Sequence, residues 1–248
     1  MKHIHLIGCG GIGAWQAQSL AKMYGDVSQY RIHLWDGDIL EARNLDRQLF
    51  TRAQLRRNKA AAMKELLDRG RNDQASNTVV HPSYFTAAAL REFNELNTVS
   101  KEDTILLACV DNSTARLACL LAVDFGLAAM TVIAANEYDT AEAYAYLPQW
   151  RETDRDPRVY YAEAYSRPDE HDPLRPSCTG VAQKAAPQLA LANMMAAAYQ
   201  AWLLRLWTVE LVAKSAAAAA SCPFKVYNTW GRLVAQSFPE SQEASNGS

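Results

Sequence analysis

The sequence predicts an α/β fold: a Rossmann-like, mostly parallel sheet with helices on both faces, extended at its C-terminus by a long helix and a hairpin. Strand and helix patterns alternate from the first residues, a glycine loop joins the first strand to the first helix, and a later apolar strand ends in Asp-Asn.

The first strand is Ile4-His5-Leu6-Ile7, followed by Gly8-Cys9-Gly10-Gly11-Ile12-Gly13 and a helical stretch from Ala14 to Met23. Glycines at these spacings let the backbone turn tightly against a phosphate, while the start of the helix offers free N–H groups and the positive end of its dipole. Gly8, Gly10, Gly11 and Gly13 are therefore candidate nucleotide ligands. The second strand, Arg31 to Trp35, ends at Asp36, where a carboxylate can accept hydrogen bonds from ribose hydroxyls. Taken alone, this is a dinucleotide fingerprint, and an NAD-dependent oxidoreductase is one reading of it.

The next residues favour a triphosphate. Gly37-Asp38, Asn44-Leu45-Asp46-Arg47-Gln48 and Lys59, which opens a new helix, place two cations within one loop and the following element. Adenylyl transfer needs positive charge around the α-phosphate and the departing pyrophosphate, whereas hydride transfer does not. Asp38 has two readings, a nucleotide contact or a residue that caps and shapes the loop.

Thr78 to His81 forms a third strand, and Thr104 to Val110 a fully buried one that ends in Asp111-Asn112, ahead of a helix from Ser113 to Phe125 containing Arg116. A carboxylate at the C-terminal end of a parallel strand lies on the ligand edge, where Asp111 can hold Mg²⁺. Thr131 to Ala135 adds a further strand. Residues 1–148 thus form an ATP-binding core.

Between Gln149 and Ser177 the composition turns charged and proline-punctuated, which by itself reads as a solvated loop. Residues 178–240 continue the same domain. A long helix is expected over Pro187 to Val212, with Met194, Tyr199, Trp202 and Trp207 giving it an apolar face suited to a homodimer contact. Its weakly polar run, Leu189 to Leu204, falls short of the roughly 20 residues a bilayer requires, so no membrane span is expected. Ala216 to Ala220 extends this helix or forms a linker, Phe224 to Val234 reads as a hairpin turned near Gly231, and 241–248 as a disordered tail.

The chain has 248 residues, 49% of them hydrophobic, and a formal charge of −2, which gives no electrostatic reason to expect nucleic-acid binding. Five cysteines without framework spacing fit a reducing compartment, and Met1-Lys2-His3 runs directly into a strand without a signal peptide, so a cytoplasmic protein is expected. The five histidines are read as separately packed or solvated side chains, with no metal constellation. Cys9, Cys109 and Cys119 are read as core packing.

Together, Gly8-x-Gly-Gly-x-Gly13, Asp36-x-Asp38, Asn44-Leu-x-Arg47-Gln48, Lys59 and Asp111-Asn112 with Arg116 resemble the ThiF-type superfamily, which includes adenylyltransferases of sulfur-carrier proteins and the adenylation domains of ubiquitin-activating enzymes. The resemblance implies ATP-dependent adenylation of the C-terminal carboxylate of a small ubiquitin-like or sulfur-carrier protein, with release of pyrophosphate. In that scheme the glycines cradle the nucleotide and Asp36 binds ribose. Asn44, Arg47 and Lys59 contact phosphates, with Gln48 and Asn112 beside them, and Asp111 holds Mg²⁺. It also implies a loop over residues 149–177 that crosses the active site. Cys178, in Pro176-Ser177-Cys178-Thr179-Gly180, resembles a family cysteine linked in some members to sulfur transfer or a covalent carrier bond, helped here by Arg175 and a nearby helix start.

Two features depart from the family pattern. Ala143 and Ala145 stand where zinc-binding cysteines would sit and no Cys-x-x-Cys occurs, so a structural zinc is not expected. The sequence as read starts at its first strand without the family's arginine-bearing N-terminal helix, so the expectation is that another arginine replaces it, a partner supplies it, or adenylation is slow or lost. The alternatives are a non-catalytic nucleotide-holding subunit and an enzyme that adenylates a peptide C-terminus.

Overall fold

The computed structural model describes residues 1–24, 29–70, 77–96, 100–136, 140–166, 190–213, 223–229 and 232–236. Cys178, the rest of the charged loop beyond Ser166, Ala216 to Ala220, Gly231 and the 241–248 tail lie outside the described residues.

The strands are β1 (Lys2–Ile7), β2 (Tyr30–Trp35), β3 (Thr78–His81), β4 (Thr104–Ala108), β5 (Met130–Asn136), β6 (Ala141–Tyr146), β7 (Lys225–Thr229) and β8 (Arg232–Gln236). They form one sheet in the order β3-β2-β1-β4-β5-β6-β7-β8. β1 to β5 are mutually parallel, and β6, β7 and β8 continue the sheet in antiparallel fashion. The parallel strands are buried nearly throughout, as Ile4, Leu6, Leu34, Leu106 and Val132 illustrate, because helices cover both faces.

The helices are α1 (Gly11–Met23), α2 (Lys59–Gly70), α3 (Ala89–Leu96), α4 (Ser113–Asp124), α5 (Pro157–Tyr160), α6 (Ala162–Ser166) and α7 (Ala190–Ala213). α1 packs between α2 and α7, while α4 packs on β4, β5 and α6. The chain runs outward from β1 to β3 and then returns across β1 to β4. With right-handed crossovers this reversal moves α3 and α4 to the face opposite α1 and α2. It also places the switch point between β1 and β4, where the glycine loop and Asp111 emerge from neighbouring strand ends.

Several details differ from the sequence expectation. α3, which buries Leu90 and Phe93, was not anticipated, because its single short apolar stripe is interrupted by charge. β4 ends at Ala108, so Cys109 and Val110 belong to the turn that follows. The first part of the charged segment is docked rather than simply solvated. Trp150, Asp156 and Pro157 are buried, and Arg158 bridges Asp124 at 2.6 Å and Asp156 at 2.8 Å while donating to the Tyr146 hydroxyl. Composition alone missed this because Arg158 finds its partners, Asp124 and Asp156, through the fold rather than through spacing.

α7 covers Ala190–Ala213 against the expected Pro187 to Val212, and residues 187–189 lie outside the described residues. Trp207, expected on a subunit-facing surface, is core, since its ring packs edge-on against Trp150 and its indole N–H donates to the Pro223 carbonyl. Among the described side chains of this helix, Leu191, Met194 and Trp202 are the large apolar ones left exposed, at 55%, 41% and 42%.

Candidate functional site

The site is built on the C-terminal ends of β1, β2 and β4. Gly8 adopts φ +89°, and a methyl group there would lie 2.7 Å from the Cys109 carbonyl oxygen, so only glycine lets the loop leave β1 so close to β4. A side chain at Gly13 would strike the Gly8 carbonyl at 2.1 Å, which seats α1 directly against the end of its own strand. Gly10 caps α1 without any side-chain hydrogen bond, leaving first-turn N–H groups for an anion.

Asp36 organises this loop. One carboxylate oxygen accepts from the Cys9 amide at 2.7 Å and the other from the Asp38 amide at 2.8 Å, tying the glycine loop to the turn after β2. Burial pushes its pKa up to about 6, although the Lys59 charge and the two amides oppose the shift.

Asp38 grips Lys59, whose ammonium lies 2.6 Å from its carboxylate, and accepts from the Tyr84 hydroxyl at 2.7 Å. The Tyr84 ring fills the space where a Gly37 side chain would be. Asn58 completes the turn: its amide donates to the carbonyls of Asp36 and Asp38, and its oxygen caps α2 by accepting from Ala61 at 3.1 Å. Lys59 is thereby placed in the first turn of α2, buried, close enough to Asp36 for its charge to act on that carboxylate.

Asn44 and Gln48 sit on the intervening loop. The Asn44 oxygen accepts from the Glu41 amide at 2.9 Å, so this side chain shapes the loop as part of a capping box. Gln48 approaches Gly10, and its Oε1 is buried without a hydrogen-bond partner among the described residues. Such an orphan is costly unless a ligand satisfies it. Arg47 is half-buried, and its guanidinium has no hydrogen bond or ion pair among the described residues.

On the other side of the switch point, Asp111 is exposed just beyond β4. Asn112 caps α4 by accepting from Ala115 at 2.8 Å, and Arg116 folds back to donate twice to the Val110 carbonyl. The fold therefore brings the glycines, Asp36, Asp38, Lys59 and Gln48 together, with the Arg47 backbone linked to them through Asn193. Cys178 lies outside the described residues. Asn58, Tyr84, Asn136 and Asn193 were not identified as site residues from the sequence. Only Asn58 carried a local signal, a capping residue immediately before a helix.

The histidines are not separate, contrary to the sequence reading. Because β1, β2 and β3 are parallel and in register, His3, His5, His33 and His81 share one face. His33 meets His3 at 3.0 Å and His81 at 3.1 Å, and the indole of Trp35 donates to His5. Ligand atoms of His3, His5 and His33 lie within 4.8 Å of one another, but the His5 and His33 rings are stacked 4.1 Å apart with an interplanar angle of 12°. Lone pairs lie in the ring planes, so parallel stacked rings do not converge on one ion; this arrangement is a packed ladder against Phe93.

These elements define a Rossmann-like nucleotide-binding protein whose glycine loop is tied through Asp36 to the turn that holds Lys59. The sequence model of the ThiF family matches residues 1–201, and the chain belongs to the ThiF family. No curated protein matches the chain. Among solved structures it is similar to PaaA (17% identity, TM-score 0.60, covering 95% of this chain and 63% of that one). It is also similar to E. coli MccB with AMPCPP and MccA (19%, 0.63, 98% and 65%), and to E. coli MccB with ATP (19%, 0.61, 98% and 66%). The chain thus spans just under two thirds of the length of these structures.

Proposed function

We propose that this protein uses ATP to adenylate a C-terminal carboxylate, releasing pyrophosphate. The observation that supports the reading is a glycine loop tied by Asp36 to the turn that holds the buried Lys59 ammonium, with the Arg47 backbone tethered alongside through Asn193. An oxidoreductase has no use for these cations. The attacking carboxylate is ionised at neutral pH, so no general base is required and the work is positioning and charge neutralisation.

In this scheme the free amides at the start of α1 and the Lys59 and Arg47 cations neutralise the phosphates, Asp36 receives ribose hydroxyls, and the orphaned Gln48 oxygen accepts a donor from the ligand. Asp111, an exposed carboxylate on the ligand edge, fits Mg²⁺, which would supply further charge neutralisation at the phosphates. Asn44, Asp38 and Asn112 act mainly by holding the loops that present these groups.

The substrate we propose is the tail of a small ubiquitin-like or sulfur-carrier protein. A second reading, a peptide C-terminus, is favoured by the likeness to the microcin C7 enzyme MccB, which was solved with N-formylated MccA. Isotope exchange between pyrophosphate and ATP tests both, with carrier proteins ending in Gly-Gly and short peptides supplied separately. Exchange that depends on either carboxylate, and falls about a hundredfold or more in Lys59→Ala and Arg47→Ala, supports the proposal. No exchange with any carboxylate would favour a non-catalytic nucleotide-holding subunit. The exposed Leu191, Met194 and Trp202 support a homodimer, and light scattering at micromolar concentration that reports a monomer would contradict that assembly.

A further inference from the structure

α7 is the most apolar helix of the chain, yet it carries two fully buried amides, Asn193 and Gln200. A buried amide is costly unless its hydrogen bonds are made, and a leucine at either place would pack without that cost. Both amides are engaged, and both reach the strand ends that frame the site.

Gln200 donates to the carbonyls of Ala108, at the end of β4, and Val132, in β5, and accepts from the Cys109 thiol. These bonds fix the helix against the sheet. About two turns closer to its start, α7 then delivers Asn193 to the nucleotide loop. Its oxygen accepts from Asn136 at the end of β5 at 3.1 Å, and its amide nitrogen lies 3.4 Å from the Arg47 carbonyl, to which it donates. The same amide lies directly against Gly11, since a methyl group on Gly11 would stand 2.6 Å from its nitrogen. One side chain therefore touches the glycine loop, the Arg47 loop and the sheet.

We infer that Asn193 is a positioning residue that sets the separation between the glycine loop and Arg47, and so determines how the guanidinium meets the phosphates. This rests on the adenylation reading for its consequence, though not for its geometry. Arg47 has no side-chain partner of its own among the described residues, so its aim depends on where its backbone is held. The tether at its carbonyl, drawn from a helix nearly 150 residues later and itself fixed to β4 and β5, supplies that hold. A glycine at position 11 is what allows the amide to pass.

Two measurements on Asn193→Leu, which keeps the branched shape without the hydrogen bonds, and on Asn193→Ala, which keeps the helix and adds no bulk, test the inference. The first is hydrogen exchange without nucleotide at the amides of Arg47 and Gln48, which bond to the Asn44 carbonyl. Both variants should speed exchange there, and unchanged exchange in the folded variants overturns the tether. The second is the kinetics of ATP turnover. KM for Mg-ATP should rise about tenfold while kcat changes much less, and Arg47→Ala combined with either Asn193 variant should be no worse than Arg47→Ala alone. Additive losses would show that Asn193 does not act through Arg47 and would overturn the positioning role. If the unaltered protein does not bind Mg-ATP, the adenylation reading fails, and the exchange data still decide the tether.

Discussion

The Lys59 ammonium lies 2.6 Å from the Asp38 carboxylate, and Asp38 is in turn held by the Tyr84 hydroxyl. The lysine is nearly buried, and this fixed counter-charge offsets the cost of taking its side chain out of water. Asp38→Asn should preserve the turn, because the Asp38 amide still donates to Asp36, yet leave Lys59 without its anchor. Its KM for ATP should rise severalfold, with a far smaller loss of kcat than in Lys59→Ala. Steady-state kinetics of the two variants side by side check this; equal losses of kcat would mean that Asp38 itself meets the reacting groups.

Acid should unfold this protein earlier than its carboxylates alone would require. Burial lowers the pKa of His33 to about 3 and of His81 to about 4, and holds His5 well below its ordinary value of 6.5. Above pH 6.5 these rings are neutral in both folded and unfolded chains. Below it the unfolded chain takes up protons that the fold refuses, so stability is lost as pH falls from 6.5 toward 3. The mostly buried His33 ring, staying neutral, costs about 2 kcal/mol between pH 7 and pH 5, and the partly exposed His81 less, because solvent screens it. Asp36 works in the opposite direction, because its raised pKa makes the fold bind a proton first, returning roughly 1 kcal/mol by pH 5. Urea unfolding should therefore show a net loss of stability between pH 7 and pH 5, smaller in His33→Gln. A flat profile in both proteins would contradict the buried, neutral ladder.

Adenylate formation and any later thiol chemistry should separate. Cys178→Ala is expected to leave pyrophosphate exchange nearly intact while abolishing any reductant-sensitive adduct with the carrier. Asp111→Ala should abolish both, because the metal that neutralises pyrophosphate would be poorly held. Mass spectrometry of the adduct, alongside the exchange assay, checks this. If Cys178→Ala stops exchange in a folded protein, Cys178 belongs to the adenylation site itself.

The parts of the site that were legible in the sequence are those whose chemistry is local. Gly8 to Gly13, Asp36 at a strand end and Lys59 at a helix start each declare themselves by spacing, and the parallel core follows from the alternation of elements. Asn44 and Asn112 were identified by motif, but their side-chain oxygens serve the Glu41 and Ala115 amides, which only coordinates reveal. Asn193 and Tyr84 reach the site from distant elements, so no local pattern marks them. The histidines had the opposite problem. His3 and His5 alternate along one strand, but their meeting with His33 and His81 depends on the register of three strands, which spacing within any one of them does not fix.

The central claim is that this loop binds a triphosphate rather than a dinucleotide, and calorimetric titration of the protein with Mg-ATP and with NAD tests it most directly. The account predicts saturable binding of Mg-ATP, weakened about tenfold or more in Lys59→Ala and in Arg47→Ala at unchanged thermal stability, and much weaker binding of NAD. Tighter binding of NAD than of Mg-ATP, or Mg-ATP affinity that ignores both cations, would contradict it.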